Sequence, residues 1–198
     1  MSPIILPLND EPIDVAPEAT DGRFRLVNCM AFLDRPENLQ VEEFSFDYVH
    51  NLRYAAISYP WKGVVTHPIL PTFHVKGAED GDPISIDIVR SACIAALQDK
   101  LDYIWLDRLC VLQEKARRAD KRAQIEHMHE VYNCCALCIV IPGGLHRLVS
   151  LDEDTPWIFR SWTLQEALSP EKVVVLVAWS LGSCMFHFTS NVSWNRFF

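Results

Sequence analysis

The sequence has no basic stripe. Its formal net charge is -8, and the densest basic cluster, "EKARRADKR" at 114–122, is interleaved with acids like the start of a solvated helix. Direct binding to nucleic acid or to an anionic membrane surface is therefore not expected. Long hydrophobic runs are missing too. The longest is the eight residues 134–141, far short of the ~20 that a membrane-spanning helix needs. The opening "MSPIILPLNDEP" has neither the basic residues nor the apolar stretch of a signal peptide. The seven cysteines are odd in number and mostly set in apolar runs, which fits reduced thiols better than a disulfide framework. These absences lead to the expectation of a soluble, cytoplasmic protein with no membrane or nucleic-acid partner.

Several chemical motifs are absent as well. Without G-x-G-x-x-G or G-x-x-x-x-G-K there is no Rossmann or P-loop phosphate site. Without G-x-S-x-G there is no nucleophile elbow.

What is present is apolar and patterned. Hydrophobic residues make up 49% of 198, enough for one well-buried domain. Residues 1–21, rich in proline and acid, are expected to form a flexible N-terminal arm. "RFRLV" (23–27) reads as a short strand, followed by an irregular stretch to about residue 52. "YAAIS" (54–58) reads as a buried strand, and the proline- and glycine-rich residues 62–83 as a long loop. Regular alternation follows: helix 87–100, strand 103–107, helix 120–133 capped by Asp120, strand 136–142, a helix capped by Thr155 that runs from Pro156 to Leu168, and strand 172–178. Apolar strands alternating with helices predict a doubly wound parallel sheet. Residues 179–198 show neither period and are expected to be an irregular tail, as if the C-terminus were truncated.

Ligands of such sheets bind outside the carboxyl ends of the strands. Those ends carry Ser58, Tyr59, Trp61 and Lys62 after the first buried strand, and Asp107, Arg108, Cys110 and Gln113 after the next. The stretch "RSWTLQEAL" (160–168) adds Trp162 and Glu166. On a continuous helix, Trp157, Ser161, Leu164 and Leu168 would form the inner stripe. Glu166 would then lie opposite, beside aromatic rings, with no cation one turn away. It is either a surface residue or the acid of a pocket. Asp107 either caps the following turn or faces the pocket. Cys110 is a nucleophile or, more simply, a small packing residue. Cys134, Cys135 and Cys138, with His127 and His129 nearby, invite a zinc reading, but their places at a helix end and in a strand point them apart, and packing is the better reading.

Four ordered blocks, "YAAISYPWKG", "YIWLDRLCVLQ", "QIEHMHEVYNCCALCIVI" and "RSWTLQEAL", resemble the fungal heterokaryon-incompatibility (HET) domain, which would then span residues 22–178. Lys62 is inserted before Gly63, Arg108 replaces an alanine and Leu112 an asparagine, so two added cations are expected at the crevice. HET domains in turn resemble TIR domains, which have a flavodoxin-like fold. In that comparison Ile57-Ser58-Tyr59 ends the first strand. Trp162 and Glu166 keep the spacing of the glutamate helix of NAD-cleaving members, with Thr163 in place of a cysteine. The resemblance implies a role in non-self recognition and regulated cell death. It implies NAD as substrate with no required cofactor, Glu166 as the catalytic carboxylate, and Ser58, Tyr59, Trp61, Lys62, Asp107, Arg108, Cys110, Gln113 and Trp162 as binding residues. It also implies a homo-oligomer on activation, with a NOD-like sensor or another HET protein as partner. A non-catalytic assembly module and a hydrolase using Cys110 are the alternatives.

Overall fold

A computed structural model of the chain describes residues 2–9, 11–65, 71–179 and 182–189. Strand β1 (Ile4–Pro7) leads to β2 (Arg23–Asn28), helix α1 (Cys29–Asp34), β3 (Asn38–Ser45) and β4 (Tyr54–Ser58). A small ribbon, β5 (Thr72–Phe73) and β6 (Ile84–Ser85), precedes α2 (Ile86–Gln98) and β7 (Tyr103–Trp105). Then come α3 (Asp107–Cys110), α4 (Arg118–Glu126), α5 (Met128–Cys134), β8 (Leu137–Val140), α6 (Thr163–Leu168), β9 (Lys172–Trp179) and β10 (Gly182–Thr189).

The main sheet runs in the order β1-β3-β2-β7-β4-β8-β9-β10. Its centre, β7-β4-β8-β9, is parallel. These strands are apolar along their whole length, as strands covered on both faces must be; all five residues of β4 and all four of β8 are buried. In chain order the centre reads 2-1-3-4, the flavodoxin-like order that the resemblance implies. The chain crosses from β4 to β7 through α2, and from β7 to β8 through α3, α4 and α5. Antiparallel strands extend the sheet on both sides, so the whole is mixed.

Several expectations need correction. The arm over residues 1–21 is threaded into the fold: β1 pairs with β3, and Ile4, Leu6, Ile13, Val15 and Ala16 are buried. Its prolines and acids hide the alternation of buried and exposed residues in "IILP". The irregular stretch to residue 52 contains α1, capped by Asn28, and the eight-residue β3. The acids of β3 serve the sheet, since Glu42 accepts hydrogen bonds from Asn28 and Tyr103, and Glu43 pairs with Arg25. Asp120 does not cap its helix but is buried in the first turn of α4 against Arg25. The helix over 120–133 breaks at His127, giving α4 and α5. In the tail expected to be irregular, residues 182–189 form β10 against β9. Residues 190–198 lie outside the described residues.

Candidate active site

The chain leaves β4 toward β7 on one side and later returns to β8 on the other. The ends of β4 and β8 are thus the switch point of the parallel sheet, where a crevice must open. The loops that follow these strands touch closely. The amide of Val64 donates to the Gly143 carbonyl (2.8 Å), and a side chain on Gly63 would collide with that carbonyl. Gly144 has a φ of +87° at the same contact, a conformation that suits only glycine readily.

A cleft of about 240 Å³ opens beside this contact, lined by Ile57, Tyr59, Trp61, Trp105, Asp107, Ile125, Met128, Tyr132, Arg160, Trp162 and Glu166. It brings together Tyr59, Trp61, Asp107, Trp162 and Glu166, residues taken from three separate segments. Ser58 stands directly behind, fully buried, and its hydroxyl donates to Glu166 Oε2 (2.6 Å). The carboxylate can only accept, and the Ser58 oxygen in turn accepts the Trp157 indole N–H (2.8 Å), which can only donate.

Glu166 reaches the cleft because α6 is oriented opposite to the sequence expectation. The chain makes one short helical turn over Trp157–Phe159, breaks, and restarts as α6 at Thr163. The Thr163 hydroxyl donates to the Trp157 carbonyl (2.5 Å), tying the restart to the earlier turn. Thr163 and Glu166 point inward, Glu166 with only 4% of its surface exposed. Leu164 and Leu168, expected in the core, are 70% and 69% exposed, and Phe159 is 87% exposed. Nor does Glu166 lack a cation. Arg160 folds back across the break and binds both carboxylate oxygens, Nη1 to Oε2 at 2.9 Å and Nη2 to Oε1 at 3.0 Å. The sequence signal for Arg160 was its place in the same intact block as Glu166; the assumption of one unbroken helix concealed it.

The second carboxylate, Asp107, sits in a cup of donors. The Tyr59 hydroxyl, the Trp61 indole N–H (2.6 Å) and the Arg108 backbone N–H (2.7 Å) all point at it. Burial, reinforced by the Asp107 charge, holds the Tyr59 phenol well above its usual range, so it remains a neutral donor. Tyr132 is held up in the same way, first by burial and then by Glu166. Its ring meets Trp105 edge-on, with 5.7 Å between centroids. The buried Trp105 indole N–H has no hydrogen-bond partner among the described residues, although Trp105 lines the cleft.

The other expected binding residues lie elsewhere. Arg108 is buried and braces the loop before β6, donating to the carbonyls of Asp82 (2.6 Å) and Ala78 (3.2 Å); its charge serves that loop and the face of Trp61. Lys62 is exposed and does not line the cleft. Gln113 spans the turn after α3, donating to the carbonyls of Asp107 and Val111. Cys110 is fully buried, and burial pushes its thiol up to about 12. It therefore lacks both the access and the thiolate that a nucleophile needs. Among the described residues no group of three or more His, Cys, Asp or Glu side chains is placed to hold a metal. Also among them, no helix is long and apolar enough to cross a membrane.

Residues 54–150 match the family model described as "Heterokaryon incompatibility protein (HET)". The matched stretch includes β4, β7, β8 and Asp107 and ends before Arg160 and Glu166. No curated protein and no solved structure gives a significant match to the chain.

Proposed function

We propose, from the premise that the chain belongs to the heterokaryon-incompatibility family, that its cleft hydrolyses the nicotinamide–ribose bond of NAD, with Glu166 as the catalytic carboxylate. The observation that carries this reading is a buried carboxylate, seated by a serine hydroxyl, in an aromatic cleft at the switch point of the sheet. As the bond between the nicotinamide nitrogen and ribose C1′ breaks, its electron pair goes to the nitrogen. Nicotinamide leaves neutral, so no general acid is needed, and positive charge develops on the sugar. A carboxylate that is itself buried in the cleft wall stabilises that charge. Water then bonds to C1′ and loses its proton to solvent. Trp162 or Trp61 offers a face on which the departing ring stacks. Asp107 has a different task. With three donors already on it, it fixes Tyr59 and Trp61 as walls of the cleft.

The decisive measurement is NAD loss by the purified chain, alone and under crowding. Glu166→Gln keeps the size of the side chain but removes its charge. It should lower turnover by about a hundredfold or more while the melting temperature shows a folded protein. Parent-rate turnover by that variant would falsify the assignment of Glu166.

A second reading, a homotypic assembly module that signals without catalysis, draws on the outer face of the same segment. Ile158, Phe159, Leu164 and Leu168 expose large apolar side chains, and grouped exposure of this kind marks association surfaces. Leu164 and Leu168, one turn apart, share a helix face. Analytical ultracentrifugation should show concentration-dependent self-association that Leu164→Glu with Leu168→Glu removes. A parent chain that stays monomeric at all concentrations eliminates this reading. In either case the family implies an upstream partner, a NOD-like sensor or another HET protein.

A further inference from the structure

In the ligand-free chain Glu166 is not free to act. Arg160 occupies both of its oxygens and cancels its charge, and among the described residues only Arg160 donates to Oε1. Oε2 is shared with Ser58. A cationic sugar gains little from a carboxylate neutralised in this way. Among the described residues that line the cleft, Arg160 is the only cation, beside two acids, Asp107 and Glu166. Its side chain is 25% exposed against 5% for Glu166, so the guanidinium is the member of the pair that a solute meets. An entering anion is repelled by everything charged on that wall except Arg160.

We propose that Arg160 is an exchangeable lock, transferred from Glu166 to the phosphate groups of a nucleotide ligand as that ligand binds. This deepens the hydrolase reading and rests on it for its consequence, although the exchange itself is a binding event. The chemistry of the swap is conservative. A guanidinium fork grips a carboxylate and a phosphate with the same pair of parallel N–H bonds, so one bidentate contact replaces another. Position permits the move. Arg160 lies in the break between the Trp157–Phe159 turn and α6, with extended backbone, and its side chain can swing while α6 stays in place. Ser58 remains on Oε2 after the exchange and keeps Glu166 aimed, and Oε1 is left bare. Phosphate recognition and exposure of the catalytic charge thus become one movement. Unphosphorylated nucleosides, which cannot hold Arg160, leave the carboxylate locked.

The test is calorimetric titration with adenosine diphosphate and with adenosine, on the parent and on the full-length variants Arg160→Gln, Arg160→Lys and Glu166→Gln, each checked for a folded melt. The parent should bind the diphosphate about tenfold or more tighter than adenosine, as a charge-assisted contact provides. Arg160→Gln should erase that preference, and Arg160→Lys, which keeps the charge but not the fork, should retain part of it. Glu166→Gln should bind the diphosphate several-fold tighter than the parent, because the competing carboxylate charge is gone. A pair that only braces α6 does not predict that gain. Equal or weaker diphosphate binding by folded Glu166→Gln, an undiminished preference in Arg160→Gln, or no diphosphate binding by the parent overturns the lock. A chain that shows the expected binding pattern but leaves NAD intact keeps the lock and removes the hydrolase reading, so the two fail separately.

Discussion

Cys110 shows how far a residue's identity can mislead. A cysteine at a strand end, near an aspartate and an arginine, invites a nucleophilic reading, yet it is fully buried. Burial is the main reason its thiol rises to about 12; the Leu106 amide and the Arg25 charge only partly oppose it. The folded state therefore holds this proton more tightly than the unfolded chain, whose thiols titrate near ~8.5. The sign follows from that. The contribution to stability is complete below the unfolded value and is lost as pH rises from there toward 12. Cys135, also raised to about 12 mainly by burial, adds to the same alkaline decline. Denaturant melts from neutral pH upward should show falling stability across this window, with a shallower fall in Cys110→Ala. NAD turnover of that variant should match the parent. Glu166 was legible in the sequence as an isolated acid among aromatics. Its partners Arg160 and Ser58 were not legible as partners, since they meet it only through the break before α6 and across the sheet.

Elements whose identity depends on apolar runs were read correctly, because a strand buried on both faces needs no partner to declare itself. That is why β4, β7, β8 and β9 were visible. Elements whose role depends on a neighbour were misread. In α6 the period of 3.6 correctly marks two faces, but periodicity cannot say which face turns inward. Here a threonine and a glutamate hydrogen-bonded to Trp157, Ser58 and Arg160 occupy the inside. The loops at the switch point carry a second lesson, at Gly63. The inserted Lys62 displaces the usual Trp-Gly spacing, yet Gly63 still packs against Gly143 and Gly144. Gly63→Ala should force these two loops apart and destabilise the chain by about 1–3 kcal/mol, the usual range for overpacking. Chemical denaturation measures the loss. A change in tryptophan fluorescence should accompany it, as Trp61 stands two residues away on the cleft wall.

At the scale of the molecule, the N-terminal region and the parallel centre are joined by one buried cation. Arg25 on β2 is fully buried and reaches four segments: Glu43 on β3 (3.0 Å), Asp120 on α4 (3.4 Å), the Thr20 carbonyl (2.5 Å) and the Cys110 carbonyl at the end of α3 (3.4 Å). Asp120 in turn accepts the Gly22 backbone N–H at 2.7 Å. The sequence hides this network because its members are scattered over a hundred residues and each reads alone as a surface charge. Arg25→Met keeps the volume of the side chain and removes its charge, which leaves the carboxylates of Asp120 and Glu43, with side chains 0% and 7% exposed, without their cation. Breaking a buried pair in this way costs about 3–5 kcal/mol, a large share of the ~5–15 kcal/mol that holds a domain together. Adding Asp120→Asn to Arg25→Met removes one stranded charge yet preserves an acceptor for the Gly22 amide, so urea melts should show part of the loss restored. If Arg25→Met alone melts like the parent, the arm and the α/β centre are held together by apolar contacts, and the charges are spectators. If the double variant recovers, the arm is part of the folding unit, and α3, which carries Asp107 at its start and the Arg25 contact at its end, transmits that order to the cleft.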